Sequence, residues 1–201
     1  MSASTLLLCI LASLLELDTT YAFQTLISRP IIAGPIFGLI TGDVMAGVQV
    51  GIFTELLFSD ISPLGGIIPP SGIVACVIPL VLYSLGIELY FGFFLGVLSA
   101  IAYSFLDTLM RKTRFKWIVF LEKGIERHPG NIKQVIAMTL LAAFLMTFIF
   151  LSVTTWISSW LIFRILPYIP PRIHLAFLLA YTAVPWIGLA SMLPAFRLKA
   201  R

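Results

Sequence analysis

The sequence has few charged residues and few residues that bind metals or form disulfides. Charged residues make up 11% of its 201 residues, and it contains two histidines and two cysteines. Cys9 and Cys76 lie in separate apolar stretches without a CxxC motif. The sequence therefore favours neither a disulfide framework nor a thiolate metal site, and we predict no metal and no cofactor. No motif for Ser-His-Asp or Cys-His catalysis is present either.

What the sequence does contain is apolar residues. Hydrophobic residues make up 60% of the chain and the mean hydropathy is +1.05, whereas soluble domains are roughly 45 to 50% apolar. These values predict an integral membrane protein. Leu6 to Leu15 could form the core of a signal peptide, but no side-chain positive charge precedes it, so we expect a first membrane segment.

Positive charge is almost absent from the first 110 residues, where Arg29 is the single cation. The same region holds seven carboxylates, namely Glu16, Asp18, Asp43, Glu55, Asp60, Glu88 and Asp107. A carboxylate inside a membrane costs about 3 kcal/mol or more unless it has partners. The imbalance predicts a buried polar site in the N-terminal half. Seven of the other cations lie together beside membrane spans, a pattern that argues against nucleic acid as a partner.

The segment from Pro30 to Phe58 fits a single membrane span poorly. As one helix it would be about 43 Å long, against about 30 Å of hydrocarbon. Its glycines recur every four residues but change face between Gly42 and Gly47. We predict two short helices broken near Gly42 and Asp43, as in discontinuous helices or a re-entrant hairpin. The Pro- and Gly-rich residues 61–72 predict a loop near membrane depth, enclosed by protein or a water-filled cavity.

The rest of the chain is predicted to be helical, which makes the fold an all-α, multi-span membrane protein. We place a division near Gly86 and Glu88 and expect the aromatic stretch Tyr90 to Phe94 to face lipid. Three regions are predicted: an N-terminal membrane region with the broken-helix core (1–110), a basic loop carrying a short amphipathic helix (111–133), and a C-terminal helical hairpin (134–201). The positive-inside rule places the basic loop and the C-terminus in the cytoplasm.

The intramembrane acids are the candidate binding residues. Asp43 and Glu55 are predicted to line a cavity or to receive several hydrogen-bond donors, and sugar hydroxyls are suitable donors. Alternatives remain open, because Asp43 is also placed to cap the second short helix and Glu55 to end a helix or pair subunits. Asp18 and Gln24 are further cavity candidates, with solvation at the membrane interface as the alternative.

The order of these residues resembles a known family, the membrane IIC subunits of the mannose/fructose/sorbose class of the bacterial phosphoenolpyruvate-dependent sugar phosphotransferase system. The similarity lies in a run of regularly spaced small and acidic residues, in Arg29-Pro30 before it and in Pro69-Pro70 after it. The run consists of Gly38, Gly42, Asp43, Gly47, Gly51 and Glu55. Pro63 and Ser71 depart from the pattern of relatives, which often have Asn and Asp there. The chain is also expected to be shorter at its C-terminus than is usual in the family.

The resemblance implies a permease subunit of the bacterial inner membrane. Such a subunit pairs with a IID membrane subunit, binds sugar and presents it to cytoplasmic IIA and IIB subunits, so an oligomer is expected. The phosphohistidines lie on those partners, so this chain would be a non-enzymatic subunit that is not itself phosphorylated. By this resemblance the substrate-binding residues would be Glu55, Asp43, Gln24, Asp18 and Thr54.

Three other functions stay open. An assembly or regulatory subunit that has lost transport would be consistent with Pro63 and Ser71. A free-standing transporter or channel would move solute without partners. An intramembrane enzyme has least support, because the sequence offers no nucleophile paired with a base.

Overall fold

The computed structural model describes residues 3–20, 25–59, 68–125 and 132–198, and almost all of them are helical. Seven α-helices follow one another within these described ranges: α1 (Ala3–Thr20), α2 (Pro30–Thr41), α3 (Val44–Phe58), α4 (Gly72–Ser84), α5 (Leu89–Ile125), α6 (Ile132–Ile165) and α7 (Pro171–Leu198). A short 3₁₀ turn at Leu166–Tyr168 joins α6 to α7. The prediction of an all-helical chain is confirmed. Of the predicted Pro- and Gly-rich loop, residues 61–67 lie outside the described residues.

The predicted break near Gly42 is confirmed, and local chemistry explains it. Gly42 ends α2 in the left-handed conformation, with a φ of 90°, which favours glycine because it has no Cβ. Asp43 then caps α3 by accepting a 3.0 Å hydrogen bond from the backbone N–H of Ala46. Pro30 occupies the first helical position of α2, where its missing N–H is not needed. The two helices form an antiparallel hairpin, α2–α3.

The remaining glycines of the motif allow the two helices of the hairpin to pack backbone to backbone. A Cβ added at Gly38 would lie 3.0 Å from the Cα of Gly47, and one added at Gly51 would lie 2.5 Å from the carbonyl oxygen of Pro30. Such separations leave no room for a side chain. At Gly42, by contrast, an added Cβ would meet no atom within 4 Å. The repeated glycines therefore serve two purposes, one conformational at Gly42 and one of close packing at the others.

The short helix α4 forms the centre of the bundle. Every residue from Ile73 to Leu82 is buried, and α4 contacts α1, α2, α3, α5 and α6. At 13 residues it is about 20 Å long, too short to cross the hydrocarbon core alone. It is antiparallel to α5, and the predicted division between the two is confirmed at Gly86, which has a φ of 85°. The N-terminal end of α4 is thus held inside the protein.

In the part of the chain that the structure describes, three helices are long and apolar enough to cross a membrane: Leu89–Thr113, Ile136–Tyr168 and Pro171–Met192. Among the described residues, α6 packs on α1 and α4, whereas α7 packs on α3 and α5. The helix α5 continues to Ile125, so residues 111–125 of the predicted basic loop extend a helix. The sequence from 111 to 123 contains neither proline nor glycine, which explains why the helix does not end at the first basic residues.

The prediction that the aromatic stretch of α5 faces lipid was wrong. Phe91 and Phe93 are buried, at 4% and 0% exposure. Phe93 lies against Phe53 of α3 and Tyr181 of α7, with ring centroids 6.3 and 5.2 Å away. Aromatic edges and faces attract one another in such arrangements. Through this aromatic cluster, the α2–α3 hairpin packs against α5 and α7.

Candidate functional site

An ion pair links α2 to α3 at the open end of the α2–α3 hairpin, the end away from the turn. Nη1 of Arg29, at the start of α2, donates a 2.8 Å hydrogen bond to Oε1 of Glu55, near the end of α3. The Arg29 side chain is 58% exposed and that of Glu55 is 22% exposed. A pair this exposed contributes little to stability, about 0 to 1 kcal/mol. The arrangement positions the Glu55 carboxylate more than it strengthens the fold.

The second carboxylate oxygen of Glu55 is buried, and among the described residues it has no hydrogen-bond partner. A buried acceptor without a donor costs about 1 to 3 kcal/mol, and more when it is charged. Glu55 therefore has unused capacity to accept a hydrogen bond from a molecule that binds beside it.

Asp18 lies at the same end of the bundle. Its carboxylate accepts hydrogen bonds from the backbone N–H and the hydroxyl of Thr25, both at 3.1 Å, and so connects the end of α1 to the segment that leads into α2. Asp18, Arg29 and Pro30 line a cavity of about 480 Å³, which we call the hairpin cavity. Asp18 and Arg29 thus line one polar hollow, and Glu55, which does not itself line it, is joined to it through Arg29.

A second cavity of about 670 Å³ adjoins the first, and both are lined by Thr19 and Gly72. We call it the α5 cavity, because residues of α5 form one wall. Its lining consists of Glu16, Thr19, Ile68, Pro69, Pro70, Ser71, Gly72, Tyr103, Ser104, Asp107, Thr108, Arg111 and Lys112. Pro69 and Pro70 of the sequence motif are thus placed at a polar hollow.

Two of the polar residues on the α5 cavity, Glu16 and Ser71, are joined to each other. The hydroxyl of Ser71 donates a 2.7 Å hydrogen bond to Oε2 of Glu16 and accepts one at 3.3 Å from the backbone N–H of Val74. Ser71 therefore caps α4 and binds α1 at once. Sequence reasoning did not select Glu16 for the site, because 55 residues separate it from Ser71.

The α5 cavity also contains an ion pair within α5. Arg111 donates from Nε to Oδ2 of Asp107 at 2.8 Å, and its Nη2 lies 2.8 Å from the same oxygen. The Asp107 side chain is 10% exposed and that of Arg111 is 41% exposed. Asp107 thus holds the guanidinium at the open side of the cavity.

Asp43 lies at the opposite end of α3 from Glu55, about 18 Å away along the helix axis. Each of its oxygens has a partner: Oδ1 accepts from the N–H of Ala46 and Oδ2 accepts from the Tyr83 hydroxyl at 3.0 Å. Asp43 lines neither cavity. The expectation of several donors is met at Asp43, but a single hollow shared by Asp43 and Glu55 is not what the structure shows.

The other two sequence candidates differ in what the structure says of them. Thr54 is fully buried, at 0% exposure, and lines neither cavity. Gln24 lies outside the described residues. Of the five predicted substrate residues, the structure therefore brings Asp18 and Glu55 to the same end of the bundle, on either side of Arg29.

Comparisons with known proteins agree with this architecture. A solved structure of a membrane protein superposes with a TM-score of 0.70 over 98% of this chain and 85% of that one, at 18% sequence identity. At that identity the likeness shows a shared fold.

Two proteins of Escherichia coli (strain K12) are similar in sequence. The N-acetylgalactosamine permease IIC component 1 is 39% identical over 61 residues, which are 30% of this chain and 23% of that protein. A second, assigned provisionally as N-acetylgalactosamine permease IIC component 2, is 36% identical over 50 residues, 25% of this chain and 38% of that protein. The matched region is less than half the length of either relative.

The model of one protein family matches nearly the entire chain. It covers residues 2–199 and describes the sorbose-specific IIC component of the phosphotransferase system. The broken hairpin, the central short helix and the long apolar helices belong to the matched region. The chain is therefore a member of the sorbose-specific IIC family of phosphotransferase-system membrane components.

Proposed function

We propose that this chain is the sugar-binding membrane subunit of a phosphoenolpyruvate-dependent phosphotransferase complex. In this role it holds a sugar in the cavities at the open end of the α2–α3 hairpin and presents it for phosphorylation, which makes uptake irreversible. The observation that carries the proposal is the buried Oε2 of Glu55, which has no hydrogen-bond partner among the described residues and belongs to a carboxylate bound to Arg29, a residue that lines the polar hollow.

The chemistry of the hairpin cavity fits a polyol. A sugar is uncharged and offers many O–H donors, while carboxylates accept two or more hydrogen bonds and Arg29 donates them. We assign Glu55 and Asp18 to the sugar and Arg29 to orienting Glu55. Gln24 remains a prediction from the sequence. Asp43 and Thr54 are given structural roles, since Asp43 caps α3 and binds Tyr83 at the other end of the hairpin, and Thr54 is buried.

Both cavities lie at the end of the bundle where α5 carries its basic residues. The positive-inside rule places this end in the cytoplasm of a bacterial inner membrane. A sugar held there is accessible to a cytoplasmic subunit carrying phosphohistidine. The partners implied are therefore a IID membrane subunit and IIA and IIB subunits.

The identity of the sugar is testable with a small panel. The family description and the similar E. coli proteins name sorbose and N-acetylgalactosamine, and mannose and fructose complete the class. We expect the complex assembled with its IID subunit to bind at least one of the four in an equilibrium binding assay. Vesicles with the cytoplasmic subunits should accumulate that sugar in phosphorylated form.

A complex that assembles with its partners and binds none of the four sugars would contradict the proposal. That result would favour an assembly or regulatory subunit without transport activity. Uptake by vesicles containing this chain alone would instead favour a free-standing transporter.

A further inference from the structure

We propose that Arg111 contacts the phosphoryl group as it passes to the bound sugar, so that the α5 cavity is the place of transfer. This inference rests on the proposed function and adds a role for a residue outside the family motif. Arg111 and Lys112 are the cations on the α5 cavity. Arg29 is the cation that lines the hairpin cavity, and it is already paired with Glu55.

The position of Arg111 suits an incoming anion. One oxygen of Asp107 binds two nitrogens of the Arg111 guanidinium and fixes the orientation of the group. The guanidinium has other N–H donors that Asp107 does not bind. With 41% of its side chain exposed, Arg111 is accessible from the open side of the cavity. Arginine presents its donors in a rigid fork that matches phosphate oxygens.

The interior of the same cavity suits the sugar. Glu16 is 9% exposed and is held by the Ser71 hydroxyl, so its carboxylate is a fixed acceptor at the buried side. The cavity thus places hydroxyl-binding oxygens deep and cations at its opening. A sugar held with one hydroxyl toward Arg111 would meet the phosphohistidine of a cytoplasmic subunit at that opening.

The transfer balances without another reactant. The sugar hydroxyl oxygen forms a bond to phosphorus as the bond from phosphorus to the histidine nitrogen breaks. The nitrogen keeps that electron pair, and the hydroxyl proton ends on the released histidine. Negative charge on the transferring phosphoryl oxygens is what Arg111 neutralises, as cationic groups do in other phosphoryl transfers.

The test separates binding from transfer in the complete complex with IID and the cytoplasmic subunits. Arg111→Ala should lower the rate of sugar phosphorylation at saturating sugar by about 10-fold or more, because one charge-stabilising donor is removed. The dissociation constant of the free sugar, measured with whichever of the four sugars the wild type binds, should change by less than about twofold. Arg111→Lys, which keeps the charge but loses the fork, should recover part of the rate.

Arg172→Ala is the matched control, since Arg172 is an exposed cation at the start of α7 that lines neither cavity. It should leave both quantities unchanged. Unchanged phosphorylation in Arg111→Ala, or a parallel loss of free-sugar binding, would overturn the inference while leaving the proposed function intact. A wild-type complex that binds no sugar would overturn both.

Discussion

The hydroxyl of Tyr83 donates a 3.0 Å hydrogen bond to Oδ2 of Asp43, and this bond connects the turn of the α2–α3 hairpin to the C-terminal end of α4. At the other end of the hairpin, Arg29 binds Glu55 at 2.8 Å. The hairpin is therefore held to the central helix at its closed end, and its open end, where Glu55 lies, borders the hairpin cavity.

Removing the Tyr83 hydroxyl should loosen the closed end of the hairpin. Tyr83→Phe deletes one hydrogen bond to a carboxylate and should lower the free energy of unfolding slightly, because the contact is exposed. The midpoint of thermal unfolding in detergent measures this change. Tyr168→Phe is the control, because Tyr168 is 84% exposed. Equal midpoints for the two variants would show that the Asp43 contact contributes nothing.

Close packing within the hairpin predicts different costs for two glycines of the same motif. A Cβ at Gly47 would lie 2.8 Å from the Cα of Gly38, so Gly47→Ala forces the two helices apart. At Gly42 an added Cβ meets no atom, and Gly42→Ala pays about 1 to 2 kcal/mol for its left-handed conformation. We expect Gly47→Ala to be the more destabilising in thermal unfolding. The reverse order would argue against backbone packing as the reason for the glycine spacing.

The link between Glu16 and Ser71 should appear as a coupling energy. In a double-mutant cycle of Glu16→Gln and Ser71→Ala, we expect the two effects on unfolding free energy to be non-additive by about 1 kcal/mol, because Glu16→Gln weakens the charge-assisted hydrogen bond that Ser71→Ala removes. Ser84→Ala is the control for Ser71→Ala, since Ser84 donates to Val81 within α4. Its effect should add to that of Glu16→Gln. Additivity in both cycles would mean that the contact between α1 and α4 is weak.

Much of the fold follows from local sequence chemistry. Gly42 followed by Asp43 carries a helix stop and a helix cap in two residues, and Gly86 marks a second turn, so both breaks were predictable. Comparing the length of each apolar segment with the thickness of the membrane distinguished the short helices from the membrane spans. The end of α5 was not predictable in this way, because basic residues favour the cytoplasm without favouring a loop.

The candidate site was only partly predictable, because its contacts join distant parts of the chain. Glu55 and Asp18 stood out as acids in apolar sequence. Glu16 also stood out as an acid in apolar sequence, but its partner Ser71 lies 55 residues away. Nothing in the sequence around Ser71 indicates that it binds Glu16. Asp43 and Glu55 share one motif, yet a straight helix carries them to opposite ends. The burial of Phe93 depends on α3 and α7, which no local pattern reveals.

The most direct test of the central claim is equilibrium sugar binding by the assembled complex carrying Glu55→Gln. Losing the charge-assisted hydrogen bonds to a hydroxyl should weaken binding by about 10- to 100-fold, which corresponds to about 1.5 to 3 kcal/mol. Asp43→Asn is the matched control, because asparagine also caps helices and Asp43 caps α3 at the end opposite Glu55. It should bind sugar as the wild type does. Unchanged affinity in Glu55→Gln, or an equal loss in both variants, would contradict a sugar site at the open end of the hairpin.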